Sequence, residues 1–360
     1  WQETWYRAMV FIVVASPCAL VASIMPTTLS TIANAARQGI LLKGGAHLER
    51  LASLKAIAFD KTGTVTKGIP EVADIFVRDG FERQTFLQIV ASIEKKSNHP
   101  IAKAIVRHAE KENVPLRHIE EVEDVSGWGI RSHVDGKEWR IGKADFIGAE
   151  QAKRFQNSAA AAFEKNGYTV IFAKDDEGIA GVIALKDSIR EEALDAVNQL
   201  KKAGMQTVLI TGDGYRPAKT IATELGIDQY YAETLPEEKL REIKRLKDKH
   251  GPVAMIGDGI NDSPALATAD IGIAMGGGTD VALEASDVVL MKNDLLMVPK
   301  AISLAKKMDR IIKQNIVFSI AVILCLLASN FLQIIDLPLG VIGHEGSTLL
   351  VILNGLRMLK

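Results

Sequence analysis

Three apolar stretches bracket this chain, and each is about as long as a helix needs to be to cross a bilayer. From about Trp5 to Ile32 no charged residue follows Arg7; Asn315 to Ile335 is a second run and Leu337 to Leu356 a third. About 20 mostly apolar residues span the hydrocarbon core. Between the last two runs, Asp336 and Pro338 predict a tight turn, so these form a hairpin. Lys306, Lys307, Arg310 and Lys313 precede the hairpin, and Arg357 and Lys360 follow it, which places both far ends on the cytoplasmic side. Trp1, Trp5 and Tyr6 suit an outer interface, so the first span runs inward. The competing reading of each span is a buried core helix. It weighs most for the third, which Gly343-His344-Glu345-Gly346 interrupts.

Composition narrows the rest. At 360 residues the chain exceeds what one core usually organises, so two or more domains are expected. A net charge of -1 argues against a nucleic-acid partner, which would call for a basic excess. The two cysteines, Cys18 and Cys325, both sit in apolar runs, too few and too badly placed for a disulfide framework. The chain opens on Trp1 without a secretory pattern, and is expected to be an internal piece of something longer.

Between the spans, strand-like and helix-like segments alternate. Lys55 to Phe59 reads as a buried strand ending at Asp60, Thr207 to Ile210 ends at Thr211-Gly212-Asp213, and Val253 to Ile256 ends at Gly257-Asp258-Gly259. Ligands of open parallel sheets gather at strand carboxyl ends, so these turns are expected to serve one site. Helices are expected over Arg216 to Leu225 and Ser263 to Ala269. The segment from about Glu71 to Gly181, with helices over Arg83 to Lys95 and Ile101 to Glu112, reads as an inserted domain.

An aspartate at a strand end can attack a phosphoryl group and form an acyl-phosphate, splitting one hard step into two. Asp60 is so placed. Lys61 and Gly63-Thr64 can offer charge and backbone donors to the transferred oxygens, while Mg²⁺ needs hard ligands such as Asp60 and Asp258, braced by Asp262. Thr211 can hydrogen-bond the phosphoryl group and Lys239 can neutralise its developing charge. Each alone is as readily a turn residue or a solvated charge; their joint order carries the reading.

Through Asp60-Lys61-Thr62-Gly63-Thr64, Thr211-Gly212-Asp213-Gly214 and Gly257-Asp258-Gly259-Ile260-Asn261-Asp262-Ser263-Pro264, the chain resembles the P-type cation-transporting ATPases over essentially its whole length. The resemblance implies an α/β fold: a haloacid-dehalogenase-like doubly wound phosphorylation domain, an inserted α+β nucleotide-binding domain, and transmembrane α-helices. The implied boundaries are 1–34 for a transmembrane helix, 35–70 for a linker and the first part of the phosphorylation domain, 71–181 for the nucleotide-binding domain, 182–298 for the second part of the phosphorylation domain, and 299–360 for two transmembrane helices. It assigns catalysis to Asp60, Lys61, Thr62, Thr211, Gly212, Asp213 and Lys239, and Mg²⁺ to Asp60, Thr62, Asp258 and Asp262. Asp187-Ser188-Ile189-Arg190 looks like one strand of the family's hinge, with Thr64 to Lys67 as the other.

Soluble phosphatases of the same fold place a second aspartate two residues after the nucleophile, as general acid-base. Here that position is Thr62, and threonine is a poor base near neutral pH, so the phospho-aspartate should persist. An isolated histidine such as His99 in Ser97-Asn98-His99-Pro100 is more often packed or solvated than bound to a ligand. The heavy-metal branch of the family, however, carries a His-Pro pair here with a preceding glutamate and a Gly-x-Gly loop. The resemblance therefore implies that Glu94, His99, Gly127 and Gly129 surround the adenine and ribose of ATP.

In the first span, Pro17 of Ser16-Pro17-Cys18 removes a backbone hydrogen bond and can free carbonyls to face an ion. A thiolate at Cys18 is a soft ligand, and His344 and Glu345 add nitrogen and oxygen donors at membrane depth. Ser16, Cys18, His344, Glu345 and Thr348 look like the ion site of one heavy-metal subgroup, implying a transported divalent transition metal: cobalt, zinc, cadmium or iron(II). The copper pumps and the principal zinc/cadmium/lead subgroup of the family usually show Cys-Pro-Cys instead. No Thr-Gly-Glu string, the mark of the family's actuator domain, occurs in the sequence. The expected partners are thus ATP, the metal, membrane lipid, and a missing actuator domain with its upstream membrane helices. The expected location is the cell membrane, multi-pass, with catalytic domains in the cytoplasm. Two alternatives stand beside this: a phosphatase with a membrane tether, which Thr62 opposes, and a non-catalytic nucleotide- or metal-binding module.

Overall fold

A computed structural model describes residues 2–119, 121–125, 128–155, 163, 168–259 and 262–359. In chain order the first elements are α1 (Gln2–Val14), α2 (Cys18–Arg37), β1 (Ile40–Leu42), α3 (Gly45–Ser53), β2 (Ala56–Asp60), β3 (Thr66–Val77), α4 (Arg83–Glu94) and α5 (Pro100–Lys111). Then come β4 (Val122–Val125), β5 (Gly129–Val134), β6 (Lys137–Gly142), α6 (Ala144–Ile147), α7 (Ala149–Phe155), β7 (Thr169–Asp175), β8 (Gly178–Ile189), α8 (Ala193–Lys202) and β9 (Gln206–Ile210). The remainder are α9 (Tyr215–Leu225), β10 (Gln229–Tyr231), α10 (Pro236–His250), β11 (Val253–Gly257), α11 (Ser263–Thr268), β12 (Ile271–Met275), α12 (Asp280–Ala285), β13 (Val288–Leu290), α13 (Met297–Phe331) and α14 (Leu337–Gly355). The strands and helices expected between the apolar spans are present, each within a residue or two of its expected limits.

Two compact units divide the chain: Trp1–Ala58 with Asn198–Thr207 and Pro236–Lys360, and Phe59–Val197 with Val208–Leu235. In the first, strands lie in the order β1-β13-β12-β11-β2, with Ala56–Ala58 of β2 in this unit. Strands β11, β12 and β13 are parallel, and β1 runs antiparallel to β13. Ala56 to Phe59 and Val253 to Ile256 are buried on both faces, as uninterrupted apolar runs in a parallel sheet must be. Helix α11 packs on β11 and β12, and α10 on β11.

The same unit holds the three segments long and apolar enough to cross a membrane: Gln2–Arg37, Met297–Phe331 and Leu337–Leu359. The first, expected as one continuous span, is two helices. Helix α1 stops at Val14 and α2 starts at Cys18 with Pro17 as its cap, because the proline ring has no N–H to continue the ladder. Helix α13 begins well before the apolar run: Val298, Ala301, Ile302, Ala305 and Met308 form a buried stripe at helical spacing. Asp336 caps α14 by accepting from the Leu339 N–H at 3.0 Å, with Pro338 in the first turn. Side chains lock these helices together: Arg7 donates to the Ile335 carbonyl at 2.8 Å, Asn34 to Met358 at 2.7 Å and Asn315 to Val351 at 3.1 Å.

The second unit is built on an antiparallel sheet in the order β3-β8-β7-β6-β5-β4. Its core includes Phe86, Leu87, Ile93, Ile105, Trp139, Ile141 and Ile183. The outer ladder continues to Thr66 and Ile189, which pair across it, so the two expected hinge strands are the ends of one antiparallel pair. In the same unit, β10 pairs in parallel with Val208 to Ile210 of β9.

Candidate active site and membrane ion site

Asp60 ends β2 and is 6% exposed. The chain then turns through Lys61–Val65, where Gly63 takes φ 69°, a left-handed conformation that favours glycine. A Cβ at Gly68 would lie 3.2 Å from the Gly63 backbone, so two glycines let the strand return tightly. Arg190 clamps the turn, its Nε donating to the Thr64 carbonyl and a terminal nitrogen to that of Gly63, each at 2.8 Å. Thr62 is exposed within this turn while Lys61 is buried.

Lys61 meets two carboxylates, Asp187 at 3.0 Å and Asp213. Burial pulls its pKa down, but Asp187 and Asp213 outweigh burial and hold it above the ordinary lysine value. Lys61 is therefore a fixed cation joining β8 to the turn after β9. That turn is tightly made: the Thr211 hydroxyl accepts from the Asp213 N–H at 3.1 Å, and the Glu233 N–H donates to the Asp213 carbonyl at 2.7 Å. No steric demand for glycine shows at Gly212, where a Cβ would meet only the Thr234 carbonyl at 3.6 Å.

In the first unit, β11 ends at Gly257, followed by the half-buried Asp258 and the buried Asp262; Ile260 and Asn261 lie outside the described residues. A Cβ at Gly257 would come within 2.8 Å of the Asp262 Cβ, so this glycine makes room for that carboxylate. Lys239 donates to Asp262 Oδ1 at 2.7 Å, and the Gly259 N–H to Oδ2 at 3.3 Å. The sequence expectation gave Lys239 to the phosphoryl group; here its ammonium neutralises Asp262.

Glu94 and His99 border a cavity of about 210 Å³ with Asp124, Trp128, Gly129 and Lys143. Burial, with Asp124 adding like-charge repulsion, pushes the Glu94 carboxyl up to about 7. The Ile101 N–H donates to His99 Nδ1 at 3.2 Å, which leaves the imidazole proton on Nε2. Gly129 and Gly142 let strands β5 and β6 close the wall: a Cβ on either would fall 2.2–2.4 Å from a carbonyl oxygen of the other strand's segment. Asp124 and Gly142 were missed in the sequence, because neither falls in a recognisable string; Gly127 lies outside the described residues.

Within the apolar segments, Ser16 Oγ and Cys18 Sγ are 2.9 Å apart at the break between α1 and α2. His344 is 2% exposed, and neither ring nitrogen has a hydrogen-bond partner among the described residues. Close approaches fix its height: a Cβ at Gly340 would lie 3.1 Å from Val14, and one at Gly355 2.5 Å from Thr27. His344 is one turn above Gly340, so it stands at about the level of Cys18. Thr348 shares its face and donates to the His344 carbonyl at 3.2 Å. Glu345 is exposed, so the structure leaves it off the buried face that holds His344.

A parallel sheet with an aspartate at one strand's carboxyl end is the arrangement of haloacid dehalogenase-like hydrolases, and residues 54–270 match that family, as do 239–302 in a second match of the same description. Over all 360 residues the chain is 56% identical to a zinc-transporting ATPase of Bacillus subtilis strain 168, and 39% identical to a zinc/cadmium/lead-transporting P-type ATPase of Escherichia coli K12. It spans about half of these relatives, 56% and 48% of their lengths. Among solved structures, a zinc-transporting PIB-type ATPase in an E2.Pi state matches with a TM-score of 0.91 at 38% identity, over all of this chain and 59% of that one. The catalytic domain of a CPx-ATPase matches at 0.62 and 30%, over 74% of this chain and 96% of that one. The chain belongs to the heavy-metal-transporting P-type ATPase family.

Proposed function

We propose that this chain supplies the phosphorylation, nucleotide-binding and ion-site parts of an ATP-driven exporter of divalent transition-metal ions in the cell membrane, its catalytic units in the cytoplasm. The observation that carries the reading is His344: a buried imidazole with two unpartnered nitrogens, at about the height of Cys18. Burying a polar ring unpaired costs a few kcal/mol, which a bound metal would offset. Ser16, Cys18, His344 and Thr348 are the proposed cargo ligands, with Glu345 needing to reach them by side-chain rotation. One thiolate beside nitrogen and oxygen donors suits zinc, cadmium, cobalt or iron(II) better than copper(I).

Glu94, His99 and Gly129, with Gly127, are proposed to hold the adenosine of ATP in the cavity between α4, α5 and β5. An Asp60 oxygen then attacks the γ-phosphorus, the bond to the ADP oxygen breaks, and an acyl-phosphate remains on the strand end. Lys61, Thr211, Gly212 and Asp213 are proposed to orient the transferred group. Asp60, Thr62, Asp258 and Asp262 offer hard oxygens that fit Mg²⁺, and Lys239 pairs with Asp262. When bound, that ion would offset negative charge on the phosphoryl oxygens. Thr62 offers no acid-base group to hasten hydrolysis, so the phosphoenzyme lasts long enough to drive movement. The water-directing glutamate would come from an actuator domain elsewhere in the protein, together with further membrane helices.

The test is metal-stimulated ATP hydrolysis by the complete gene product in membranes, across zinc, cadmium, cobalt and iron(II). Asp60→Asn should abolish it, and Cys18→Ala and His344→Ala should cut it by the same factor for each metal. Stimulation that survives Asp60→Asn would sink the proposal.

A further inference from the structure

The half of α13 that precedes its apolar run carries Lys300, Lys306, Lys307, Arg310 and Lys313 against a single acid, Asp309. That acid is already taken by Lys313 at 2.7 Å. Among the described residues, Lys306, Lys307 and Arg310 form no ion pair. Two grooves open on this stretch and share Lys306 and Arg310. One, of about 770 Å³, is lined by Lys306, Asp309, Arg310, Lys313, Val317 and Phe318 with Ala52 and Gln314. The other, of about 550 Å³, is bordered by the further cations Lys202 and Lys307.

Spacing gives the first groove a direction. Lys306, Arg310, Lys313 and Val317 fall at i, i+4, i+7 and i+11, one face of the helix. Along that face the chemistry changes once, from cationic to apolar: Val317 is 69% and Phe318 41% exposed. From Arg310 to Val317 the helix rises roughly 10 Å, enough to carry the face past a headgroup layer of about 5–7 Å per leaflet and into the acyl region.

We infer that this groove binds an anionic glycerophospholipid, its phosphate between Lys306 and Arg310 and its acyl chains along Val317 and Phe318. Charge complementarity selects the head and the exposed apolar turn selects the tail; a free phosphate would leave Val317 and Phe318 uncovered. Clustered cations beside a membrane helix attract acidic lipid in this way. The inference needs only that α13 enters a bilayer, and does not depend on which ion is moved.

The experiment is lipid retention by the complete protein in detergent, read by native mass spectrometry against equimolar phosphatidylglycerol and phosphatidylethanolamine. Retention of phosphatidylglycerol should exceed that of phosphatidylethanolamine, withstand excess inorganic phosphate, and fall roughly thirtyfold in Lys306→Gln/Arg310→Gln. A control pair, Lys111→Gln/Lys249→Gln, should leave it unchanged. No preference between the lipids in the unaltered protein would overturn the inference whatever the variants do, as would displacement by phosphate. Resistance of the protein to carbonate extraction from membranes reports separately whether α13 is in the bilayer.

Discussion

The Lys239 ammonium lies 2.7 Å from Asp262 Oδ1, with the two side chains 7% and 4% exposed. Such a pair tolerates loss of one partner badly, because the other charge is left buried and alone. Lys239→Met should therefore destabilise the protein by about 3–5 kcal/mol, seen as a lower midpoint of urea unfolding. Lys239→Met/Asp262→Asn should cost less than the sum of the single changes. Additive costs would show that the contact carries no coupling.

Thr62 is exposed two residues past Asp60, where a carboxylate could activate water. Thr62→Asp should speed phospho-aspartate hydrolysis by roughly a hundredfold, within the range of general acid-base catalysis. Acid-quenched labelling with γ-labelled ATP would record this as a fall in steady-state phosphoenzyme. An undiminished level would mean the carboxylate cannot reach the bond.

Glu94 titrates at about 7 rather than 4.5, raised by burial and then by Asp124. Its folded pKa exceeds the unfolded one, so the folded state holds an extra proton between the two. The stability this gives is complete below pH 4.5 and disappears as pH rises through 7, a difference on the order of 3 kcal/mol. Comparing unfolding at pH 5 and pH 8, Glu94→Gln should lose this part of the dependence. Asp124→Asn should shift it to lower pH. Identical profiles in all three proteins would rule the assignment out.

Gly129 admits no side chain: a Cβ would stand 2.2 Å from the Ile141 carbonyl oxygen and 2.8 Å from the Phe146 ring. Backbone cannot yield as a flexible side chain does, so Gly129→Ala should push β5 off β6. We expect a loss of about 1–3 kcal/mol in stability and weaker ATP binding by calorimetry. Gly142→Ala, whose Cβ would meet the Trp128 carbonyl at 2.4 Å, should behave alike. Gly212→Ala, with its nearest contact at 3.6 Å, should leave stability nearly unchanged.

Strand ends and turns were legible because their signals are local. The buried run before Asp60 and the Gly63 turn each follow from a few consecutive residues. The length of α13 was less so: its first half is amphipathic, and a hydropathy reading sees only the apolar half. Asp124 and Gly142 stayed hidden because their importance lies across strands, against Glu94 and the Trp128 carbonyl.

By itself, the sequence determined the class of chemistry. Asp60 at a strand end with Thr62 after it is the pattern the proposed nucleophile rests on, and three apolar runs are long enough to cross a membrane; residue type and spacing along the chain suffice for both. Tertiary structure alone decided the partners: Lys61 between Asp187 and Asp213, Lys239 on Asp262, His344 buried and Glu345 exposed one residue away. Burial and pairing depend on which distant segments fold against a side chain. They set the cost of leaving a charge or an imidazole unsatisfied, and that cost is absent from any single stretch of sequence.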